Sequence, residues 1–193
     1  MYSLTRYLER TILETENMEE RVAVIKRVLE VMLVLQVTSI LLIALCFFVQ
    51  ELNNFNGVFA ITSCLNSSAV YRLLNTKDRL DAHLLKALED ASSLVADHFK
   101  LYLEKLRSIN PPCVPFFGRY QNLILFLEEG NPDFLHQSTE LINFSKRRKV
   151  AEIISEIQQY QNQPYCLSPY PKLNQFLESL DPFPGWSEKE VSV

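Results

Sequence analysis

Glu128 and Glu129 stand side by side at the end of an apolar stretch, directly before Gly130. A helix ending there would carry two carboxylates where its macrodipole is already negative, each costing about 0.3–1 kcal/mol. Local stability does not account for them, although exposed glutamates beside a loop are the simpler alternative. Other chemistry-bearing residues are scattered. Cys46, Cys64, Cys113 and Cys166 form no C-x-x-C pair, and His83, His98 and His136 do not cluster with them as zinc ligands must. Ser145, His136 and the nearby acids have no triad spacing, so hydrolysis has no support. His98 reads as a core or surface imidazole rather than a base. The thiols read as buried, free cysteines that pack as small hydrophobes. The basic run Lys146-Arg147-Arg148-Lys149 resembles a nuclear-import patch, but a solvated helix face with internal ion pairs is the better reading.

Composition narrows the field. The chain has 193 residues, 48% hydrophobic and 22% charged, which predicts one globular domain. Its four glycines are about 2% of the chain where ~7% is usual, leaving no Gly-rich phosphate loop and no nucleophile elbow. A net charge of −4 offers no field for a phosphate backbone, which argues against nucleic-acid binding. No metal site and no cofactor is expected.

Helical periodicity positions these residues, and the class is all-α. Leu80, Leu84, Leu88, Ala91, Val95, Phe99, Tyr102 and Leu106 recur every three or four residues, predicting one continuous amphipathic helix stopped by Pro111 and Pro112. Its buried face should hold Leu84, Leu88, Val95 and Tyr102. An earlier helix begins near Asn17, with Glu20 as capping-box partner. A late one is expected from about Ser138 to Tyr160. Between Pro115 and Pro132, Phe116, Phe117, Tyr120, Leu123, Ile124, Leu125, Phe126 and Leu127 point to all sides of a short helix. A helix apolar all round is buried, or else inserted into something. Gly130 is expected to supply its left-handed cap.

The run Lys105-Leu106-Arg107-Ser108-Ile109-Asn110-Pro111-Pro112-Cys113-Val114-Pro115-Phe116-Phe117-Gly118 resembles the catalytic domain of the Ras guanine-nucleotide exchange factors, nearest to the Son of sevenless branch. Glu128 to Pro132, Leu141 to Ile153 and Gln158 to Cys166 continue the likeness. So do Glu14 to Val24 and Glu51 to Leu73, with Leu52-Asn53-Asn54-Phe55-Asn56-Gly57 inside. Together they span about Tyr7 to Pro182. The family domain begins several helices earlier, so residues 1–193 are expected to be part of such a domain.

A second departure is Val37 to Gln50, an apolar insertion that makes Val31 to Gln50 twenty uncharged residues. At 1.5 Å per residue the run spans about 30 Å, enough for a bilayer core. A spanning segment would make the chain a membrane-anchored adaptor in direct contact with the bilayer. Arg21, Lys26 and Arg27 before the run would then place the motifs away from the cytosol. The preferred reading is a translated intron. Valine codons begin GT and glutamine can be CAG, the ordinary intron borders.

The resemblance implies a function that breaks no covalent bond. An exchange factor for a Ras-type small GTPase expels nucleotide by binding the nucleotide-free form better. It implies a helical hairpin as wedge, here about 115–129 and 138–160, with Leu125 obstructing the metal site and Glu129 the phosphate site. Phe59, Phe99 and Phe116 fall where the family forms an apolar pocket for a GTPase tyrosine. Phe59 and Phe99 replace the leucine and tyrosine of the Son of sevenless pattern, and without the resemblance both read equally well as core. Asn66 and Tyr71 match polar positions on the same surface, and Asn143 and Lys149 belong to the hairpin motif. The chain is thereby expected to be cytoplasmic, meeting the membrane indirectly through its lipidated GTPase. A non-catalytic remnant is the alternative.

Overall fold

The computed structural model describes residues 2–36, 52–135 and 140–181. Among these the elements are all helical, apart from two isolated bridges, Asn54 with Val114 and Phe134 with Ile142. In chain order the longer helices are α1 (Tyr2–Glu14), α2 (Met18–Gln36) and α3 (Phe55–Leu65). Short α4 (Ser68–Tyr71) and α5 (Leu74–Lys77) lead into α6 (Ala82–Ser93) and α7 (Ala96–Ser108). Then follow α8 (Phe117–Gly130), α9 (Phe144–Gln161) and α10 (Pro171–Glu178).

The core is built around α3, which packs against α1, α2 and α6. Eight of its eleven residues are buried, as an all-round apolar helix requires. Asn54 starts it, its side-chain oxygen accepting the Gly57 N–H at 2.9 Å. Gly57 lets α2 approach, since a Cβ there would lie 2.8 Å from Leu35 Cδ1. Around α3 stand Ile12 of α1, Ile25, Leu29 and Met32 of α2, Leu84 and Leu88 of α6, and Tyr102 and Leu106 of α7. Asn17 caps α2 as expected, its Oδ1 accepting the Glu19 and Glu20 N–H groups at 2.8 and 3.3 Å.

The expected continuous helix from Leu80 to Leu106 is broken. The last turn of α6 tightens, with the Leu94 and Val95 N–H groups donating back three residues to Ala91 and Ser92. Asp97, His98 and Phe99 then adopt left-handed backbone, with φ of 47°, 53° and 65°. Val95 is consequently 42% exposed, whereas Leu84, Leu88 and Tyr102 are buried as predicted. Non-glycine residues in this region cost about 1–2 kcal/mol each, and of the three only Phe99 makes the aromatic contacts described below. Gly130 is also corrected. It remains inside α8 without a left-handed backbone, and Asn131 ends the helix, its Nδ2 donating to the Leu127 carbonyl at 3.1 Å.

The insertion, residues 37–50, lies outside the described residues, as do Cys46 and His136. No helix among the described residues is long and apolar enough to cross a membrane. Cys64 and Cys113 are buried as expected, and burial pushes both thiols up to about 12, so they stay protonated. Cys166 is exposed, contrary to the expectation of a buried thiol.

Candidate functional site

Helices α8 and α9 pair as a hairpin. On α8 the buried Tyr120 and half-buried Leu123, Ile124 and Leu127 repeat at helical spacing. Val150, Ile153, Ile157 and Tyr160 do the same on α9. These two stripes form the seam. Tyr120 anchors it, its hydroxyl donating to Glu156 Oε1 at 2.8 Å, and burial pushes its phenol pKa up. The helix was expected at 115–129 and its partner at 138–160. Asn143, rather than Ser138, sets the start of α9, and residues 136–139 lie outside the described residues.

The hairpin is tied to the core at its base. The buried Tyr102 oxygen accepts the Phe116 N–H at 2.9 Å, and burial holds that phenol up to about 12. The Tyr165 hydroxyl donates to the Leu52 carbonyl. Beside these ties lies a cleft of about 370 Å³ lined by Cys113, Val114, Pro115, Tyr160 and Tyr165, among others.

Phe59, Phe99 and Phe116 meet in one cluster. Phe59 lies edge-on to Phe116 and to Phe99, with centroids 4.8 and 6.1 Å apart, and Phe99 stacks on Phe116 at 5.7 Å. The left-handed turn at 97–99 delivers Phe99 there. Gly118 makes room for Phe116, because a Cβ on it would sit 2.6 Å from Phe116 Cζ. Phe59 is fully in the core, while Phe99 and Phe116 are half-buried, so the cluster reaches the surface. Asn66 caps the end of α3 and donates to Ser92 Oγ at 2.9 Å. Tyr71 is exposed, with Lys77 Nζ 4.3 Å from its ring centroid.

The far end of the hairpin is held by polar groups. Asn143 is buried, its Oδ1 accepting the Lys146 N–H at 3.2 Å and its Nδ2 donating to the Pro132 carbonyl at 2.9 Å. Its side chain thus ties the turn to the first turn of α9. The Leu135 N–H donates to the Leu141 carbonyl at 2.7 Å, closing the turn. Lys146 Nζ sits 2.7 Å from Glu128 Oε2 and 2.8 Å from Asp133 Oδ1, with Arg147 beside it. The hydrogen bond from Lys146 holds the Asp133 carboxyl below its ordinary value, and that bond and Glu128 hold the ammonium above its own. Arg148 pairs with Glu152, as a solvated face with internal pairs requires, and Lys149 is exposed. Sequence reading missed the parts taken by Tyr102, Gly118 and Lys146. For Lys146 the signal was present: a charge four residues before the half-buried Val150, on the seam side of α9.

Leu125 and Glu129 lie one turn apart on the outer side of α8. Leu125 is 50% and Phe126 69% exposed. Among the described residues, the Glu129 carboxylate has no ion-pair or hydrogen-bond partner. An apolar prow with one bare carboxylate can displace a hydrated cation and compete for anion-binding donors. No group of three or more histidine, cysteine or acidic side chains among the described residues could hold a metal.

The sequence profile of the RasGEF domain matches residues 1–148. Protein son of sevenless of Drosophila melanogaster is 54% identical over 190 residues, covering 98% of this chain and 11% of that protein. The Son of sevenless homolog of Caenorhabditis elegans is 36% identical over 207 residues, covering 93% of this chain and 13% of the relative. Ras-specific guanine nucleotide-releasing factor 2 of Danio rerio is 42% identical over 128 residues, covering 65% and 10%. The chain therefore spans about a tenth of the length of the relatives it matches. With the profile covering most of its length, the chain belongs to the RasGEF domain family.

Proposed function

We propose that this chain is a guanine-nucleotide exchange module for a Ras-type small GTPase, acting where the lipidated GTPase meets the cytoplasmic face of the membrane. It breaks no covalent bond. It favours the nucleotide-free GTPase, and that difference in affinity expels the nucleotide. The aromatic cluster of Phe59, Phe99 and Phe116 takes a tyrosine of the GTPase, with Asn66 and Tyr71 as polar contacts on the same surface and Asn143 and Lys149 as further contacts on the hairpin. The α8–α9 hairpin enters the nucleotide site. There Leu125 fills the space of the magnesium ion and Glu129 competes for the donors that hold phosphate.

The observation that carries this reading is the outer side of α8. Large apolar residues are exposed there, next to a carboxylate with no partner among the described residues, on a helix braced from behind. The test is release of a fluorescent nucleotide from Ras-, Rap- and Ral-type GTPases. The wild-type chain should accelerate release from at least one, and Leu125→Ala and Glu129→Ala should each slow it while leaving thermal unfolding nearly unchanged. No acceleration with any GTPase of the panel overturns the reading.

A further inference from the structure

We propose that Lys146 is the positioning residue of the hairpin tip, engaging Glu128 and fixing the end of α8 so that Glu129 is the carboxylate left to act. The inference rests on the exchange reading above. Glu128 and Glu129 are chemically identical neighbours, and nothing in their sequence order distinguishes them. Lys146 does. Its side chain is 2% exposed, and its ammonium reaches Glu128 Oε2 at 2.7 Å, the Glu128 carbonyl at 3.1 Å and Asp133 Oδ1 at 2.8 Å. Three donors meet three oxygens, which uses the whole capacity of the group.

Two of those oxygens belong to one residue at the end of α8. The carbonyl is among the last four that a helix leaves without an internal partner, and a cation there also offsets the negative end of the macrodipole. The third oxygen belongs to the turn that follows. Lys146 therefore binds the last turn of α8, the loop after it and the first turn of α9 into one unit. Arg147 adds an exposed pair to the same carboxylates, at 2.8 Å from Asp133 and 3.6 Å from Glu128, but from the surface and without reaching the carbonyl. Leu125 lies less than one turn before Glu128, and Glu129 directly after it. Both are carried by the backbone that Lys146 grips.

Lys146→Met keeps most of the stem and removes the charge. In the full chain, amide hydrogen exchange of residues 128–135 should accelerate about tenfold or more while α3 amides keep their protection. The maximal rate of nucleotide release should fall about tenfold, with the half-saturating GTPase concentration within about twofold of wild type. Lys146→Arg should recover part of both. Glu128→Gln should slow release less than Glu129→Gln does, and it and Asp133→Asn carry the amide test should Lys146→Met not fold. Unchanged exchange at 128–135 overturns the inference whatever the activity. Faster exchange there with an unchanged maximal rate, or a loss at Glu128→Gln equal to that at Glu129→Gln, overturns it too. A wild-type chain inactive on every GTPase defeats the exchange reading instead, and the amide data then decide alone whether Lys146 holds the tip.

Discussion

The helical body and the hairpin are built from similar residues on opposite plans. In the body, leucines, isoleucines and phenylalanines are inside and the charges are outside, so α3 is sealed among α1, α2 and α6. In the hairpin a lysine and an asparagine are buried at the tip, while Leu125 and Phe126 face solvent. The body is held by transfer of apolar area, at roughly 25 cal/mol per Å². The hairpin tip is held by matched donors and acceptors, which fix geometry more than they add stability. On the proposed reading, a hairpin that enters a partner keeps its apolar surface for that partner and takes its rigidity from polar contacts instead.

The sharpest way to break this comparison is to place the same charge in both regions. Leu88→Asp puts an unpaired carboxylate into the core beside α3 and should cost about 3–5 kcal/mol, enough to unfold much of the population. Leu125→Asp should change stability by less than about 0.5 kcal/mol, because its site is already half in water. Chemical denaturation of the two variants decides, and equal losses would mean that α8 is ordinary core. A smaller effect is expected where the regions meet. Gly118→Ala forces the Phe116 ring off its seat and should cost about 1–3 kcal/mol, with release of nucleotide slowed in the same protein. Unchanged stability and release there would detach the aromatic cluster from the hairpin.

The smallest effect is in pH. The folded Asp133 carboxyl lies below its ordinary 3.8, so its contribution is complete above about pH 4 and is lost as pH falls through the lowered value. The folded Lys146 ammonium lies above its ordinary 10.5, so its contribution is complete below that value and is lost as pH rises through the raised one. The tip should stay uniformly ordered between about pH 4 and 10 and loosen at either side while the body persists. Amide resonances of residues 128–135 followed across pH check this, and loosening between about pH 5 and 8 would show that other groups hold the tip.

The all-α class, the two members of the hairpin and the meeting of Phe59, Phe99 and Phe116 were legible in the sequence. Periodicity reports which residues share a helix face and so gives the class, whereas the hairpin and the meeting of the three phenylalanines followed from the family resemblance. The break at residues 94–99 was not legible, because Leu94 to Phe99 continue the apolar repeat without glycine or proline. The Phe99 ring that this backbone delivers meets Phe59 and Phe116, which are distant in sequence, as well as the nearby Tyr102. Gly130 misled for the opposite reason, since a glycine after two glutamates is a local cap signal that Asn131 overrides with its own side chain. For Lys146, the spacing to Val150 gives the seam side of α9, but a sequence gives charge and not depth. Its burial depends on Glu128 and Asp133, which come thirteen to eighteen residues earlier and meet it only when the hairpin closes.

The bond between the Tyr102 oxygen and the Phe116 N–H has a consequence for reach. Phe116 is at once a wall of the aromatic cluster and the residue from which α8 springs. Glu129 lies twelve residues beyond Phe117, about 18 Å along the axis at 1.5 Å per residue. The helix is then a lever arm with its fulcrum at Phe116, and a tilt of about 10° there swings Glu129 through roughly 3 Å, the length of a hydrogen bond. Whatever seats itself against the Phe116 ring thus also sets how far the carboxylate at the other end of α8 extends.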